Sequence, residues 1–288
     1  MSEEEPLFVL GSPRSGTTLF RLMLTCHPEV HIPPEGGFAV YLAPRFTDWT
    51  AADVPRFVTE VCATRKFETW GLAPADLHAA LAADPPASYA EACARVYRLH
   101  AARAGKSPQR WGDKNNFYIR HIPEILALWP NAWLVHIVRD GRDVASSWLD
   151  LARDQHAGPY APRLPAEVDG IATRWRDDVD TIEAALQESP RSARIRFEDL
   201  VNDPPAALAA LTAAVDLSYS PDMLTYWQRN REQVLEPPAT MGWKARTLDP
   251  PSTSRAGRWR TALSADQVAR FEAIAGPALD RYGYRESV

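Results

Sequence analysis

The sequence predicts an α/β protein in three layers, with a central parallel sheet between helices and a helical cover on one side. Short apolar runs alternate with amphipathic helical patterns, as expected when each strand is followed by a crossover helix. A glycine-containing loop joins the first apolar run to a helical pattern. Residues 38–108 show no strand pattern but several helical ones, which predicts the cover.

The predicted strands are short runs of apolar residues. The strongest is Trp133–Val138 (WLVHIV), which stops at Arg139-Asp140-Gly141. Such continuous apolar character is typical of parallel strands buried on both faces. The other predicted strands are Leu7–Leu10, residues 29–32, residues 109–113 and residues 193–197.

Helices are predicted between the strands by apolar residues at three- and four-residue spacing. Ser88 with Glu91, and Ser264 with Gln267, form capping-box patterns at the start of two of these helices. Residues 158–165 and 236–257 are rich in proline and predict irregular loops. Since no repeat or linker divides the chain, we expect one domain over residues 1–288.

Composition restricts the function. The chain has 32 Lys and Arg against 37 Asp and Glu, a net charge of -5, whereas a general nucleic-acid binder is usually basic. The three cysteines are far apart without a CxxC pattern, so we expect reduced thiols and no zinc site. No secretory signal and no run of ~20 apolar residues is present. We therefore expect a cytoplasmic protein without nucleic-acid or membrane partners.

Residues 11–18 (GSPRSGTT) lie between a predicted strand and a predicted helix. Gly11 permits a tight turn there, Gly16 permits close backbone approach, and the N–H groups of the helix start favour an anion. The spacing matches GxxxxGK[ST] with Thr17 in place of the lysine, which predicts a P-loop-type fold but does not favour ATP or GTP hydrolysis. The alternative is a plain glycine turn. The predicted phosphate-binding residues are Ser12, Pro13, Arg14, Ser15, Gly16, Thr17 and Thr18.

A second anion site is predicted in the segment HIVRDGRDVASSW. Arg139 follows a strand, at the carboxyl end where α/β folds place ligands, and Ser147 lies in the next predicted helix. A guanidinium and a hydroxyl so placed can bind one phosphate. The alternative is a surface cluster that caps the helix. We expect Arg142 and Asp143 to be structural ion-pair residues.

Together these motifs resemble the donor site of sulfotransferases that use 3′-phosphoadenosine 5′-phosphosulfate (PAPS). GSPRSGTT is similar to their 5′-phosphosulfate loop, above all in the bacterial and tyrosylprotein branch, and Arg139 with Ser147 resembles their 3′-phosphate motif. The resemblance covers residues 7 to about 40, 109–150, 193–204 and 252–284. It implies PAPS as donor, adenosine 3′,5′-bisphosphate (PAP) as product, and no metal.

A third match, Gly257-Arg258-Trp259-Arg260 followed by Tyr282-Gly283-Tyr284, resembles the ending of many bacterial sulfotransferases. In the cytosolic branch an Arg-Lys-Gly triplet just before this point holds the 3′-phosphate. Here that register reads Ser252-Thr253-Ser254. Arg255 or Arg258 is expected to substitute, and the sequence does not choose between them.

Sulfuryl transfer to a hydroxyl needs a base for the acceptor proton and cations for the charge on the sulfuryl oxygens and the departing phosphate. Glu35, in a Pro-Pro-Glu-Gly-Gly loop, matches the catalytic Glu of the tyrosylprotein branch and is the candidate base. A histidine is the base in the cytosolic branch, so the rival bases are His31, His121 and His136. His121 has the wrong spacing for that role, and His136 lies within a predicted strand.

The resemblance also implies catalytic roles for two cations. Lys114, in WGDKN, resembles the family lysine that contacts the leaving phosphate and the bridging oxygen. Arg14 is expected on the 5′-phosphate or the sulfuryl oxygens. The predicted catalytic set is therefore Glu35, Lys114 and Arg14.

The predicted acceptor is a hydroxyl of a small molecule such as a natural product, lipid or sugar. The Ala- and Arg-rich composition is typical of a high-GC bacterium, and a tyrosyl peptide is less expected in a cytosolic chain. The alternatives are a P-loop small-molecule kinase and a non-catalytic nucleotide-binding module; the oligomeric state is open. The acceptor is expected to lie under the 38–108 cover and the 150–170 loop. Candidate lining aromatics are Phe38, Tyr41, Phe46, Trp49, Phe67 and Trp70.

Overall fold

The computed structural model describes residues 4–154, 159–163 and 165–285 of the chain. One parallel sheet forms its centre. Its strands are β1 (Leu7–Leu10), β2 (Val30–His31), β3 (Arg110–Lys114), β4 (Trp133–Val138) and β5 (Ser192–Arg196). The order is β2-β3-β1-β4-β5, so β1 lies between β3 and β4. The predicted parallel sheet is confirmed, and each predicted strand is present within two residues of its expected bounds.

The two faces of the sheet bury alternate side chains of the same strand, as a period of two requires. In β1, Phe8 and Leu10 face one apolar core, whereas Leu7 and Val9 face the opposite one. All four side chains are almost fully buried. The central strand is therefore covered on both sides, which explains its continuous apolar sequence.

Helices cover both faces of the sheet. Ser88 and Ser264 cap the helices that their patterns predict, and the hydroxyl of each accepts the N–H of the residue three positions on. The helices up to β4 are α1 (Thr17–Cys26), α2 (Phe38–Tyr41), α3 (Val54–Ala63), α4 (Pro74–Ala83), α5 (Tyr89–Arg103) and α6 (Ile122–Leu128). The later helices are α7 (Gly141–Arg153), α8 (Val168–Glu188), α9 (Phe197–Asn202), α10 (Pro204–Ala214), α11 (Tyr226–Gln233), α12 (Met241–Lys244), α13 (Trp259–Ala262) and α14 (Ala265–Arg281).

The predicted helical cover at residues 38–108 is present and packs on the Phe8 face of the sheet. Most of its aromatic side chains form core. Phe38 is fully buried and stacks on Tyr97, which in turn stacks on Trp111 of β3. Four of the candidate pocket aromatics, Phe38, Phe46, Phe67 and Trp70, are buried in this way. Tyr41 is instead 55% exposed.

The prediction of an irregular loop at residues 236–257 is wrong for much of that segment. The segment folds into short helical turns at Pro238–Thr240, Met241–Lys244, Ala245–Leu248 and Thr253–Arg255. Buried Glu236 anchors the segment to Arg21 of α1, a contact that proline content cannot reveal. The other predicted loop, residues 158–165, lies partly outside the described residues.

Within the described ranges, no helix is both long enough and apolar enough to cross a membrane.

Candidate active site

Three predicted site segments meet at one edge of the sheet. The loop of residues 11–18 follows β1, Lys114 ends β3, and Arg139 follows β4. Because β3, β1 and β4 are neighbours and parallel, their carboxyl ends lie side by side. The fold therefore brings the loop of residues 11–18 together with Lys114 and Arg139, which are far from it in the sequence.

Glycine is required at two positions of the phosphate loop. Gly16 precedes α1 with φ of 88°, a left-handed conformation, and a Cβ there would lie 2.5 Å from the Phe197 ring. At Gly11 a Cβ would lie 2.7 Å from the Ile137 carbonyl oxygen. Replacement of either glycine by a residue with a Cβ would push the loop away from its neighbours. The tight turn therefore depends on these two glycines.

Hydrogen bonds with buried residues fix the position of the phosphate loop. The Ser12 hydroxyl donates to buried Asp178 of α8 at 3.0 Å, and the indole N–H of Trp148 donates to the Pro13 carbonyl at 2.9 Å. Ser15 is also buried, and its N–H donates to the Ser12 carbonyl. The Ser12 hydroxyl thus stabilises the loop through its hydrogen bond with Asp178.

A cavity of about 720 Å³, here called the donor cavity, opens beside this loop. Arg14 and Arg139 both line it, together with Ser147 and Arg255. Arg14 donates from Nε to the Ser147 hydroxyl at 3.1 Å. Arg139 donates to the carbonyl oxygens of Arg14 at 3.0 Å and Arg255 at 2.7 Å, and it lies over the Phe197 ring. The structure therefore unites the two predicted anion motifs in one cavity.

Positive charge is concentrated in the donor cavity. Burial and then repulsion from Arg139, Arg255 and Arg246 lower the pKa of Arg14 to about 10. Burial also lowers the pKa of Arg139, and that of Arg255 is lowered by burial and by repulsion from Arg246 and Arg258. Guanidiniums that repel one another in a buried cavity favour a polyanion, which removes the repulsion.

Of the two C-terminal candidates, Arg255 lines the donor cavity. Arg258 forms an ion pair with Asp150, and Arg255 lies 3.8 Å from the same carboxylate. Asp143 accepts the N–H groups of Gly257 and Trp259 at 2.7 and 2.8 Å.

Arg142 pairs with Asp140 at 2.8 Å and lies 3.8 Å from the Trp259 ring centroid. Arg142 and Asp143 thus attach the C-terminal segment to α7, in keeping with their predicted structural role.

A second cavity of about 830 Å³, here called the transfer chamber, contains Glu35 and Lys114. The Lys114 ammonium donates to the Glu35 carboxylate and lies 3.3 Å from the Thr18 hydroxyl. Lys66 donates to the other oxygen of Glu35. The chamber shares Arg14, Thr17, Thr18, Trp243 and Lys244 with the donor cavity, so the two spaces adjoin at the phosphate loop.

Both charged groups of the Glu35–Lys114 pair have perturbed pKa values. Burial alone would raise the pKa of Glu35, but attraction from Lys114, Lys244 and Lys66 outweighs it and holds that pKa well below its ordinary value. Burial lowers the pKa of Lys114 to about 8, although Glu35 opposes the shift. At neutral pH the chamber thus holds a carboxylate that can accept a proton and an ammonium that can stabilise anionic oxygens.

The rival histidines lie outside the lining of both cavities, as far as the described residues go. His31 is buried against His100 at 2.7 Å, and burial lowers its pKa to about 2. His136 is fully buried in β4, and burial lowers its pKa to about 3. His121 lies 3.1 Å from Glu124 at the start of α6. Among the candidate bases, Glu35 alone lines the transfer chamber.

The sequence interpretation missed several charged residues at the site. Glu236 is 3% exposed and accepts hydrogen bonds from Arg21 at 2.7 Å, from Thr240 at 2.8 Å and from Lys244. Lys244 reaches both cavities from this anchor. Lys66 and Lys244 carry no local pattern that marks them. Arg21 could have indicated a buried acidic partner, because it lies within the apolar face of α1 and a buried charge needs a partner.

Known proteins resemble this chain in sequence and in fold. A family profile described as "Sulfotransferase family" matches residues 6–221. Protein-tyrosine sulfotransferase 2 of Gallus gallus is 24% identical over 293 residues, covering 98% of this chain and 70% of the relative.

Solved structures show the same fold. A sulfotransferase domain from the curacin biosynthetic pathway superimposes with a TM-score of 0.64 at 19% identity over all of both chains. A mouse sulfotransferase solved in complex with PAP has a TM-score of 0.54 at 13% identity, covering 98% of this chain and 90% of that one.

Proposed function

Because the chain belongs to the sulfotransferase family, we propose that it transfers a sulfuryl group from PAPS to a hydroxyl of a small molecule. The observation that carries the donor assignment is the arginine group of the donor cavity. Arg14, Arg139 and Arg255 lie close together beside the N-terminus of α1. A nucleotide with phosphates at two positions would offset the positive charge of these three guanidiniums.

The donor is proposed to lie with its two phosphate groups on the two motifs. Arg139, Ser147 and Arg255 bind the 3′-phosphate, and residues 12–18 bind the 5′-phosphosulfate at the helix start. Phe197 and Tyr226 line the same cavity and offer apolar surface for the adenine. A mouse relative of this fold was solved with PAP, which supports the same nucleotide here.

The reaction is proposed to proceed in the transfer chamber by in-line displacement. The acceptor oxygen attacks sulfur while its proton passes to the Glu35 carboxylate. The bond between sulfur and the bridging oxygen breaks, and its electron pair leaves with PAP. Lys114 and Arg14 stabilise the charge that grows on the bridging and sulfuryl oxygens.

Lys66 and Lys244 are proposed to assist the transfer step. Both attract the Glu35 carboxylate and lower its pKa. Lys244 also borders the donor cavity, so it can reach the sulfuryl oxygens of the donor. Its partner Glu236 keeps Arg21 and Thr240 when Lys244 turns to the donor, so no buried charge is left alone.

The test of this proposal is transfer of label from [³⁵S]PAPS to a panel of phenolic, aliphatic and sugar hydroxyl compounds. We expect a labelled product with wild-type protein and a loss of turnover on the order of 10²–10⁴ in Glu35→Gln, because a positioned base contributes that much. Near-normal turnover in Glu35→Gln would remove Glu35 as the base. Transfer of phosphate from ATP·Mg²⁺ to the same panel would instead establish a kinase.

A further inference from the structure

We propose that the acceptor carries an oxyanion (a carboxylate, phosphate or sulfate) besides its hydroxyl, and that Arg65 and Lys66 bind that group at the entrance of the transfer chamber. This inference rests on the proposed function, because it names the acceptor class of the same site.

Three cavities lie in series across the molecule. The donor cavity adjoins the transfer chamber at the phosphate loop and Lys244. On its other side the chamber shares Arg65 and Lys66 with a third cavity of about 700 Å³, here called the outer cavity. The donor and outer cavities share no lining residue among those described. An acceptor that enters through the outer cavity therefore passes Arg65 and Lys66 before its hydroxyl reaches Glu35.

Of the two cations at this entrance, Lys66 is paired with Glu35, whereas Arg65 has no acidic partner among the described residues. Arg65 donates to the Pro159 carbonyl and lies 5.4 Å from the Tyr160 ring centroid, and no described carboxylate pairs with it. Arg45, which lines the same outer cavity, pairs with Glu60 at 2.9 Å. The chain has more acidic than basic residues, so partners for arginine are plentiful. An unpaired guanidinium at the entrance to the active site fits an anionic ligand.

Lys66 adds a second cation in an unusual backbone conformation. Its φ is 74°, in the left-handed region that costs a lysine conformational energy. Its ammonium contacts the Glu35 oxygen not used by Lys114. The Lys66 ammonium has three N–H donors, so it can donate to the acceptor anion while it keeps its contact with Glu35.

Aromatic side chains line the same path. Tyr41 and Phe117 line the outer cavity and are 55% and 41% exposed, and Tyr160 lines the chamber between Arg65 and Lys66. Exposed aromatic rings beside cations suit a ligand with an apolar body and a charged end. The acceptor class is therefore a hydroxylated compound with an apolar body and an oxyanion.

Matched pairs of compounds test this inference on PAP-loaded protein. Each pair consists of a hydroxy acid and its amide: 4-hydroxyphenylacetate with its amide, 3-hydroxyoctanoate with its amide, and glucuronate with glucuronamide. Dissociation constants come from saturation-transfer NMR. In at least one pair we expect the acid to bind about 10-fold or more tightly than the amide, because a charge-assisted hydrogen bond is worth that factor.

Variants assign the effect to the entrance. Arg65→Met should reduce the acid's advantage to about two-fold, and Arg65→Lys should restore part of it. Lys66→Gly removes the second cation and suits the left-handed backbone, so it should also lower the advantage without loss of folding. Arg270→Met, on the exposed pair with Asp169, removes one charge elsewhere and should leave the advantage unchanged.

Equal binding of acid and amide in every pair would overturn the inference, as would an advantage that survives in both Arg65→Met and Lys66→Gly. Donor binding is measured first on the same samples. Absence of PAP binding to wild-type protein would count against the proposed function itself, whereas PAP binding without preference for acids would count against the anionic acceptor alone.

Discussion

Arg14 has two roles that substitutions can separate. Its backbone is left-handed, with φ of 71°, and its guanidinium lies among three other arginines. Arg14→Gly removes the guanidinium and also the backbone strain. We expect turnover to fall on the order of 10²–10³, while the melting temperature of the ligand-free protein stays level or rises. Steady-state kinetics and differential scanning calorimetry measure the two effects.

Arg14→Ala is the matched control, because it removes the charge but keeps a residue with a Cβ in the left-handed region. It should lose as much activity and melt below Arg14→Gly. If either variant turned over at the wild-type rate, Arg14 would have no part in the transfer step.

The lowered pKa of Lys114 predicts how activity depends on pH. Its pKa is lowered to about 8, so the ammonium is present below that pH and is lost as pH rises through it. We therefore expect kcat/KM to fall above about pH 8. In Lys114→Arg the guanidinium stays charged, so the alkaline fall should move to higher pH even if the rate is lower. An unmoved alkaline limb in that variant would assign the titration to another group.

At the residue scale, the sequence predicted the members of the site that belong to ordered motifs. The loop 11–18 and Arg139 follow strands, Lys114 ends one, and Ser147 lies in the helix after Arg139, so the geometry of parallel strands places all of them. Lys66, Arg65 and Lys244 come from segments without such a motif. Their position depends on tertiary packing of the cover and of the 236–248 segment, which periodicity does not report.

At the scale of elements, the segment of residues 236–248 depends on one buried ion pair. Glu236 pairs with Arg21 of α1, and both side chains are at most 2% exposed. Glu236→Gln leaves Arg21 buried beside a neutral group, so we expect a loss of about 3–5 kcal/mol of stability. Donor binding should also weaken, because the segment that lines the donor cavity at residues 242–247 loses its anchor to α1. Chemical denaturation and PAP titration measure these effects.

Glu232→Gln is the control for Glu236→Gln, since Glu232 is exposed on the preceding helix and should change stability by less than about 0.5 kcal/mol. Wild-type stability in Glu236→Gln would contradict the anchor.

The same anchor predicts a dependence of stability on pH. Burial would raise the pKa of Glu236, but Arg21, Lys244 and Lys114 lower it to about 2, below the value of 4.5 for an unperturbed glutamate. The carboxylate thus contributes stability that is complete above pH 4.5 and is lost as pH falls towards 2. The acid limb of the unfolding free energy should therefore be shallower in Glu236→Gln than in wild type.

The elements themselves were predictable where local pattern and burial agree. The strand Trp133–Val138 and the capped helices α5 and α14 were found because apolar periodicity and capping residues act over a few positions. The 236–248 turns were missed because Arg21 and Glu236 are 215 positions apart. Proline content indicated a break in regular structure there, but not that buried contacts order the chain.

At the scale of the whole molecule, the fold class followed from the alternation of strands and helices, whereas the strand order did not. Placement of β1 between β3 and β4 is what unites the two phosphate motifs. The arrangement also concentrates positive charge in a chain whose net charge is -5. The single domain over residues 1–288, the cytoplasmic location and the bacterial origin remain predictions.

The central claim is that the donor cavity binds a nucleotide with phosphates at the 3′ and 5′ positions. Isothermal titration calorimetry of PAP and of ATP·Mg²⁺ tests it most directly. We expect one PAP per chain, bound at least about 100-fold more tightly than ATP·Mg²⁺. Most of that preference should be lost in Arg139→Ala, because a desolvated guanidinium–phosphate contact accounts for a factor of this order. Equal or tighter binding of ATP·Mg²⁺, or no heat with PAP, would contradict it.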